Sequence, residues 1–269
     1  MKKTKIIVPA LGMLLLSTAA SVTGTVAWFS SNQIVTASGM QVKAKAQAGL
    51  VISNASDGTY NVSAASAKSD CAELYPASTK DLSTWLTSTS TNPGQANTQQ
   101  TYTSATAWTD TLTDAHYVVH DFFIRSSAAA ALTVTSLDVK SVTVTESGGD
   151  STFDELSKSL RVGIKFGTST NAYIYAPVSG YTASYSVQNA AGAYTSDTSA
   201  RTTVTPVAGN TVSRDTSVTS IPANSGNGLH AYVYVWFEGE DAACISNNII
   251  SGLETLSISV EFTYNSPAA

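Results

Sequence analysis

At 269 residues, with a formal net charge of −5 and only 12% charged residues, the chain lies well below the roughly 25% charge of an average soluble domain. Ser, Thr, Ala and Val dominate, the profile of a β-protein whose strands cover their solvent face with hydroxyls instead of charge. The acidic balance leaves no broad basic face to follow a phosphate backbone, so nucleic acid is not an expected partner.

Lys2, Lys3 and Lys5 precede an apolar run from Ile6 to Leu16, and small residues follow from Ser17 to Ala20. A basic start, a short apolar core and small residues are the parts of a secretory signal. The run contains Pro9 and falls short of the about 20 residues that span a membrane. Residues 1–27 are therefore expected to be a signal peptide, the chain touching the membrane only until it is cut. Thr25-Val26-Ala27 offers a small residue at the cleavage position, with cutting expected between Ala27 and Trp28 or one residue later. No Cys stands near the signal's end to carry a lipid anchor.

The junction itself, Gly24-Thr25-x-Ala27-Trp28-Phe29-Ser30, then a polar stretch and Thr36-Ala37-Ser38-Gly39-Met40-Gln41-Val42-Lys43-Ala44, resembles the TasA and camelysin family of Gram-positive bacteria. The resemblance covers about the first fifth of the chain. It implies a jelly-roll β-sandwich, a dedicated signal peptidase as partner during export, and, for TasA-type members, assembly into extracellular fibres of the biofilm matrix. Camelysin itself has been called a surface metalloprotease.

From Met40 the pattern alternates strictly, Met40, Val42, Ala44, Ala46 and Ala48 against Gln41, Lys43, Lys45 and Gln47, the signature of a half-buried strand. It is read as continuing through Leu50, Val51 and Ile52 to a turn at Asn54 to Gly58. Tyr60 to Ala115 reads as a long decorated connection anchored by Leu74, Trp85, Leu86 and Trp108, with one helical turn near Asp81 to Leu86. Tyr117 to Arg125 and Leu132 to Glu146 read as strands, the second with a change of apolar face near Ser136 that suggests a bulge or a crossing between sheets. A short helix is expected at Phe153 to Ser159, then strands at Leu160 to Phe166 and Tyr173 to Ala176 joined by a hairpin connection. Tyr181 to Val212 reads as a peripheral flap. Leu229 to Glu238 and Leu256 to Tyr264 are the clearest strands of the C-terminal half, with a further helix expected around Cys244 to Ile250. The fold class is thus all-β, a jelly-roll-like β-sandwich with long decorated loops and one or two short helices. Residues 28–39 form an N-terminal segment ahead of a single sandwich domain at 40–269.

Several constellations bear on chemistry. Cys71 and Cys244 can form one disulfide in an oxidising exterior; the alternative is two inert buried thiols. His116 and His120 have the two-His spacing of a zincin helix, but Tyr117 stands where the general-base Glu belongs and the segment is strand-like. Two surface histidines are the plainer account. Glu238-Gly239-Glu240-Asp241 places three carboxylates in four residues; a solvated acidic turn is expected there, with a Ca²⁺ site as the alternative. Tyr232, Tyr234 and Trp236 alternate with Val233, Val235 and Phe237, as sandwich aromatics or as a carbohydrate platform. No Gly-x-Ser-x-Gly elbow, phosphate-binding loop or dinucleotide fingerprint is present, so no catalytic residue, cofactor or metal is assigned.

Trp28, Phe29, Ile34 and Val35 place aromatic and β-forming side chains in a tail, and such residues favour a sheet edge. Adding that segment as a strand to a neighbouring copy satisfies its backbone and buries its apolar groups. Repeated head to tail, the contact does not close and yields a filament. The expected function is therefore a secreted structural subunit, extracellular or at the cell surface, whose partner is itself. A camelysin-like metalloprotease and a non-polymerising adhesin are the alternatives. The chain carries no LPxTG-type sorting signal, so a surface location is expected to come from self-assembly or a partner.

Overall fold

The computed structural model describes residues 35–36, 40–68, 73–88, 102–107, 109, 115–147, 155–178, 187–188, 194–195, 205–206, 213–239, 241, 243–244 and 255–267. The strands are β1 (Val35–Thr36), β2 (Gln41–Ala46), β3 (Leu50–Ser53), β4 (Ser63–Ala65), β5 (Glu73–Leu74), β6 (Ser78–Thr79), β7 (Trp85–Ser88), β8 (Tyr102–Ser104), β9 (Tyr117–Ser126), β10 (Leu132–Thr133) and β11 (Ser136–Ser147). After a 3-10 helix at Glu155–Ser159 come β12 (Leu160–Phe166), β13 (Tyr173–Ala176), β14 (Val187–Gln188), β15 (Tyr194–Thr195), β16 (Thr205–Pro206), β17 (Ser213–Asp215), β18 (Ser220–Ile221), β19 (Leu229–Phe237) and β20 (Thr255–Asn265).

Two sheets make the body. One has the order β17-β11-β20-β2-β4, the other β16-β13-β12-β19-β9-β3. Alternation decides which side chains face inward: Val42 and Ala44 are buried while Gln41 and Lys43 are exposed, and β9 buries every second residue from Val118 to Ser126. The inward rows meet in one core, with Val42, Val142, Ile258 and Val260 from the first sheet and Val118, Phe122, Val162 and Val233 from the second. Phe166 and Phe262 touch edge to face across it, centroids 5.6 Å apart. The all-β sandwich expected from the pattern is therefore present.

Four local readings change. The strand beginning at Met40 does not run on to Ile52. It ends at Ala46; β2 belongs to the five-stranded sheet and β3 to the six-stranded one. Gly49 makes the crossing in a left-handed conformation (φ 93°), and a Cβ there would stand 2.7 Å from the Tyr264 hydroxyl. Second, the connection from Tyr60 to Ala115 holds strands of its own, with β6, β7 and β8 forming a small sheet. Asp81 does not start a helical turn. Its Oδ1 accepts the amides of Ser83 (2.9 Å) and Thr84 (2.7 Å), a side-chain turn that competes with helix, and β7 follows directly.

Third, the face change near Ser136 resolves into two features. β10 pairs with β18 and β11 with β20, and within the β11–β20 ladder the register shifts between Val139 and Ser141. A bulge at Lys140 lets Val139 and Val142 both face the core. Fourth, where a helix was expected at 153–159, the described residues Glu155–Ser159 form a 3-10 turn. The helix expected around 244–250 and most of the 181–212 flap lie outside the described residues.

The small sheet covers part of the six-stranded sheet's outer face. Leu82, Trp85, Ile174 and Trp236 form a second apolar cluster there. Gly163 makes room for it: a Cβ at that position would meet Leu82 Cδ2 at 2.5 Å.

Candidate functional site

Of the N-terminal segment, Val35 and Thr36 fall within the described residues; Ala27, Trp28, Phe29 and Ile34 do not. Val35 pairs with Leu74 and Thr36 with Glu73 of the same chain, in a two-stranded sheet separate from both main sheets. Two residue pairs are a marginal ladder.

A second feature lies along β9. This strand pairs with β19 over Tyr117–Ile124 and with β3 over Phe123–Ser126. Among the described residues no strand flanks it from Val118 to Phe122 on the β3 side. The chain leaving β4 crosses this opening from one sheet to the other. Ser66 donates its amide to Val42 O of β2 at 2.7 Å, and two residues on, Lys68 Nζ donates to Val119 O of β9 at 2.6 Å. Side chains thus occupy an edge that a strand would otherwise fill.

The charges around this crossing form a chain. Lys68 Nζ lies 3.2 Å from Asp121 Oδ2, and His230 Nε2 2.9 Å from Asp121 Oδ1. The His230 hydrogen bond, followed by the Lys68 charge acting against burial, holds the Asp121 carboxyl below its ordinary range. Beneath the crossing, His120 is 1% exposed and its Nδ1 is 2.7 Å from Ser66 Oγ. Burial, reinforced by the Lys68 charge, pushes its pKa down to about 3. A Ser–His pair of this kind has a base far too weak to take a hydroxyl proton near neutrality.

His116 and His120 are not brought to a common site. His116 sits just before β9, its Nδ1 accepting the Thr106 amide at 3.2 Å and its ring tilted against Tyr75, whereas His120 points into the sandwich. Among the described residues no three His, Cys, Asp or Glu side chains converge as metal ligands.

The acidic turn is a correction. Two of its three carboxylates are not solvated: Glu238 and Asp241 are each 0% exposed, and Glu240 lies outside the described residues. A solvated turn was expected because the sequence shows three carboxylates and no nearby base. The base arrives from β12, where Arg161, also fully buried, places Nη2 2.5 Å from Asp241 Oδ2 and donates Nη1 to the carbonyls of Lys158 and Leu160. Glu238 accepts the Trp236 indole N–H at 3.1 Å. The protein's own guanidinium supplies the positive charge that a bound cation would have brought.

Cys244 is buried with a free thiol, which burial pushes far above its ordinary range although Ser159 hydrogen-bonds it. Cys71 lies outside the described residues.

The β19 aromatics divide by face. Val233, Val235 and Phe237 enter the core, while Tyr232, Tyr234 and Trp236 face outward. The outward rings contact neighbouring rings, some stacked and others tilted or edge to face. Phe123 and His230 are 4.4 Å apart, His230 and Tyr232 3.7 Å, and Trp85 lies on Tyr117 at 3.8 Å. Trp236 is fully buried beneath the small sheet, so it offers no exposed ring face to a ligand.

No match was found. Scans against protein-family models, curated proteins and solved structures each returned nothing similar to this chain. Lys68, Asp121 and Arg161 were the site residues that sequence reading passed over. Lys68 and Arg161 stand among other charged residues, Asp70 beside the first and Lys158 and Lys165 on either side of the second, so nothing in the local sequence marked them.

Proposed function

We propose that this chain is a secreted structural subunit that polymerises head to tail into extracellular filaments, its residues 28–39 adding as a strand to the next copy. The observation that carries this reading is the stretch of β9 from Val118 to Phe122, which no strand flanks on the β3 side among the described residues and which the Lys68 side chain crosses. An unpaired edge in an otherwise paired sheet is a template for an incoming strand. The two-residue ladder of β1 on β5 costs little to give up, and the segment that leaves it carries Trp28, Phe29, Ile34 and Val35 as apolar anchors. The resemblance of the junction to TasA and camelysin sequences supports the same reading, a jelly-roll topology, and a signal peptidase that frees the segment by cutting at Ala27-Trp28.

Purified mature protein, observed by electron microscopy and sedimentation, tests it. Filaments are expected from the intact chain, and a monomer with unchanged β circular dichroism from protein lacking residues 28–39. Ile34→Asp or Phe29→Asp should act like the deletion, because a buried carboxylate costs several kcal/mol unless paired. Filaments of normal length from the truncated protein would reject strand exchange.

A further inference from the structure

The connection between β12 and β13 and the segment before β18 line an open cavity of about 460 Å³. That is the size of a small-ligand site. Its apolar part is supplied by Phe166, Val218 and Leu229, and its rim by Ser and Thr hydroxyls with no charged side chain among the lining residues. Gly167, in a left-handed turn (φ 49°), keeps the mouth clear of Leu229, which a Cβ would approach to 3.2 Å.

Directly behind the rim lies Asp215, 0% exposed. Its carboxylate accepts Ser169 Oγ at 3.0 Å, Asn171 Nδ2 at 2.9 Å, and the Ser217 amide and Oγ at 3.0 and 2.6 Å. All four donors are neutral. The adjacent guanidinium, Arg214, turns to Asp138 instead, Nε to Oδ2 3.4 Å. The negative charge is felt nearby: burial first, and Asp215 second, raise the Tyr173 phenol to about 12.

Two consequences follow for anything entering the cavity. Because Ser217 and Ser169 give their protons to Asp215, their oxygens are left as acceptors. Ser169 Oγ also takes the Asn171 amide at 3.1 Å and lies 3.1 Å from the Ser217 hydroxyl, so its lone pairs are engaged by neighbours and Ser217 Oγ is the acceptor left open to a ligand. The nearest formal charge to that acceptor is an anion matched by no cation among the contacts just described. A ligand must therefore bring donors, and gains most if it brings positive charge.

We propose that this cavity binds a primary ammonium group, an N–H of which goes to Ser217 Oγ beside the Asp215 carboxylate, its carbon skeleton lying against Leu229 and Val218. An amino sugar and a lysyl side chain carry the same group, and both fit the volume. The site stands apart from the β9 edge, and the proposal does not depend on filament formation.

Titration of the mature protein, followed by the methyl NMR signals of Leu229 and Val218, tests it with three probes: glucosamine, N-acetylglucosamine and Nα-acetyl-lysine amide. Saturable shifts are expected with glucosamine, and at least tenfold weaker response with N-acetylglucosamine, whose nitrogen is uncharged. Binding by the lysine derivative alone points to a peptide source and by glucosamine alone to a glycan; either supports the site. Asp215→Asn should weaken the ammonium probe about tenfold. Should that variant lose its fold, Ser169→Ala combined with Ser217→Ala leaves the carboxylate in place and should weaken binding at least threefold. Equally tight saturable binding of the two sugars, no response to either ammonium probe, or full binding by the double variant would overturn the proposal.

Discussion

Lys68 Nζ and the carbonyl oxygen of Val119 lie 2.6 Å apart, so at this residue a side chain, not a strand, satisfies the edge of β9. The same ammonium pairs with Asp121, but both partners are about one-third exposed, and such pairs contribute roughly 0–1 kcal/mol. Lys68→Ala should therefore leave the urea midpoint nearly unchanged while freeing the edge. Faster assembly of the mature protein is expected by light scattering, with filaments of normal appearance. Slower or unchanged assembly would show that Lys68 does not guard an acceptor edge.

His120 sets an acid limit on stability. Its pKa is about 3 in the folded protein against an ordinary 6.5. Between these values the unfolded chain binds a proton that the folded chain refuses. The stabilisation is complete above about 6.5 and is lost as pH falls towards 3, at up to about 1.4 kcal/mol per pH unit. Urea unfolding at pH 7, 5 and 4 should show a steeper loss in the native sequence than in His120→Leu, whose carboxylates titrate alike. Parallel curves for the two proteins would remove His120 from the account.

The Arg161–Asp241 pair predicts a sharp difference between breaking and replacing. Both side chains are sealed from water, and removing one partner strands the other charge. Asp241→Asn or Arg161→Leu should each cost about 3–5 kcal/mol, whereas Arg161→Leu with Asp241→Leu should regain much of that loss. Denaturant midpoints of the two single variants and the double variant decide it, and additive losses would contradict the pairing.

The sequence located those strands whose periodicity is unbroken. Leu160–Phe166 and Tyr173–Ala176 stand where alternation and the Gly167 turn put them, β9 and β19 differ from expectation by one residue at one end, and β20 by one residue at each end. It failed where one apolar run serves two sheets. Met40 to Ile52 reads as a single strand because alternation reports which side of the chain is apolar, not which sheet receives it, and the change of sheet rests on the backbone of Gly49. Asp81 misled in a related way: its side chain caps a turn as it would cap a helix, and the choice fell to β7, which finds its partners in β6 and β8.

For the candidate sites, the sequence by itself determined the residue types and their places along the chain: Val35 in a strand-forming tail, His120 on the β9 strand, carboxylates after β19; it read His120 as a surface residue, which the structure buries at 1% exposure. Their surroundings were decided in three dimensions. Arg161 meets Asp241 across 80 positions and Lys68 meets Val119 across 51. Asp215 gathers Ser169 and Asn171 from 46 and 44 positions away. Local pattern follows from chain geometry, which repeats every second residue along a strand. Whether a carboxylate is solvated or paired, or a histidine is a base or a buried neutral ring, depends on desolvation and on the nearest charge. Those are set by strand order and register, which bring distant segments within a few ångströms.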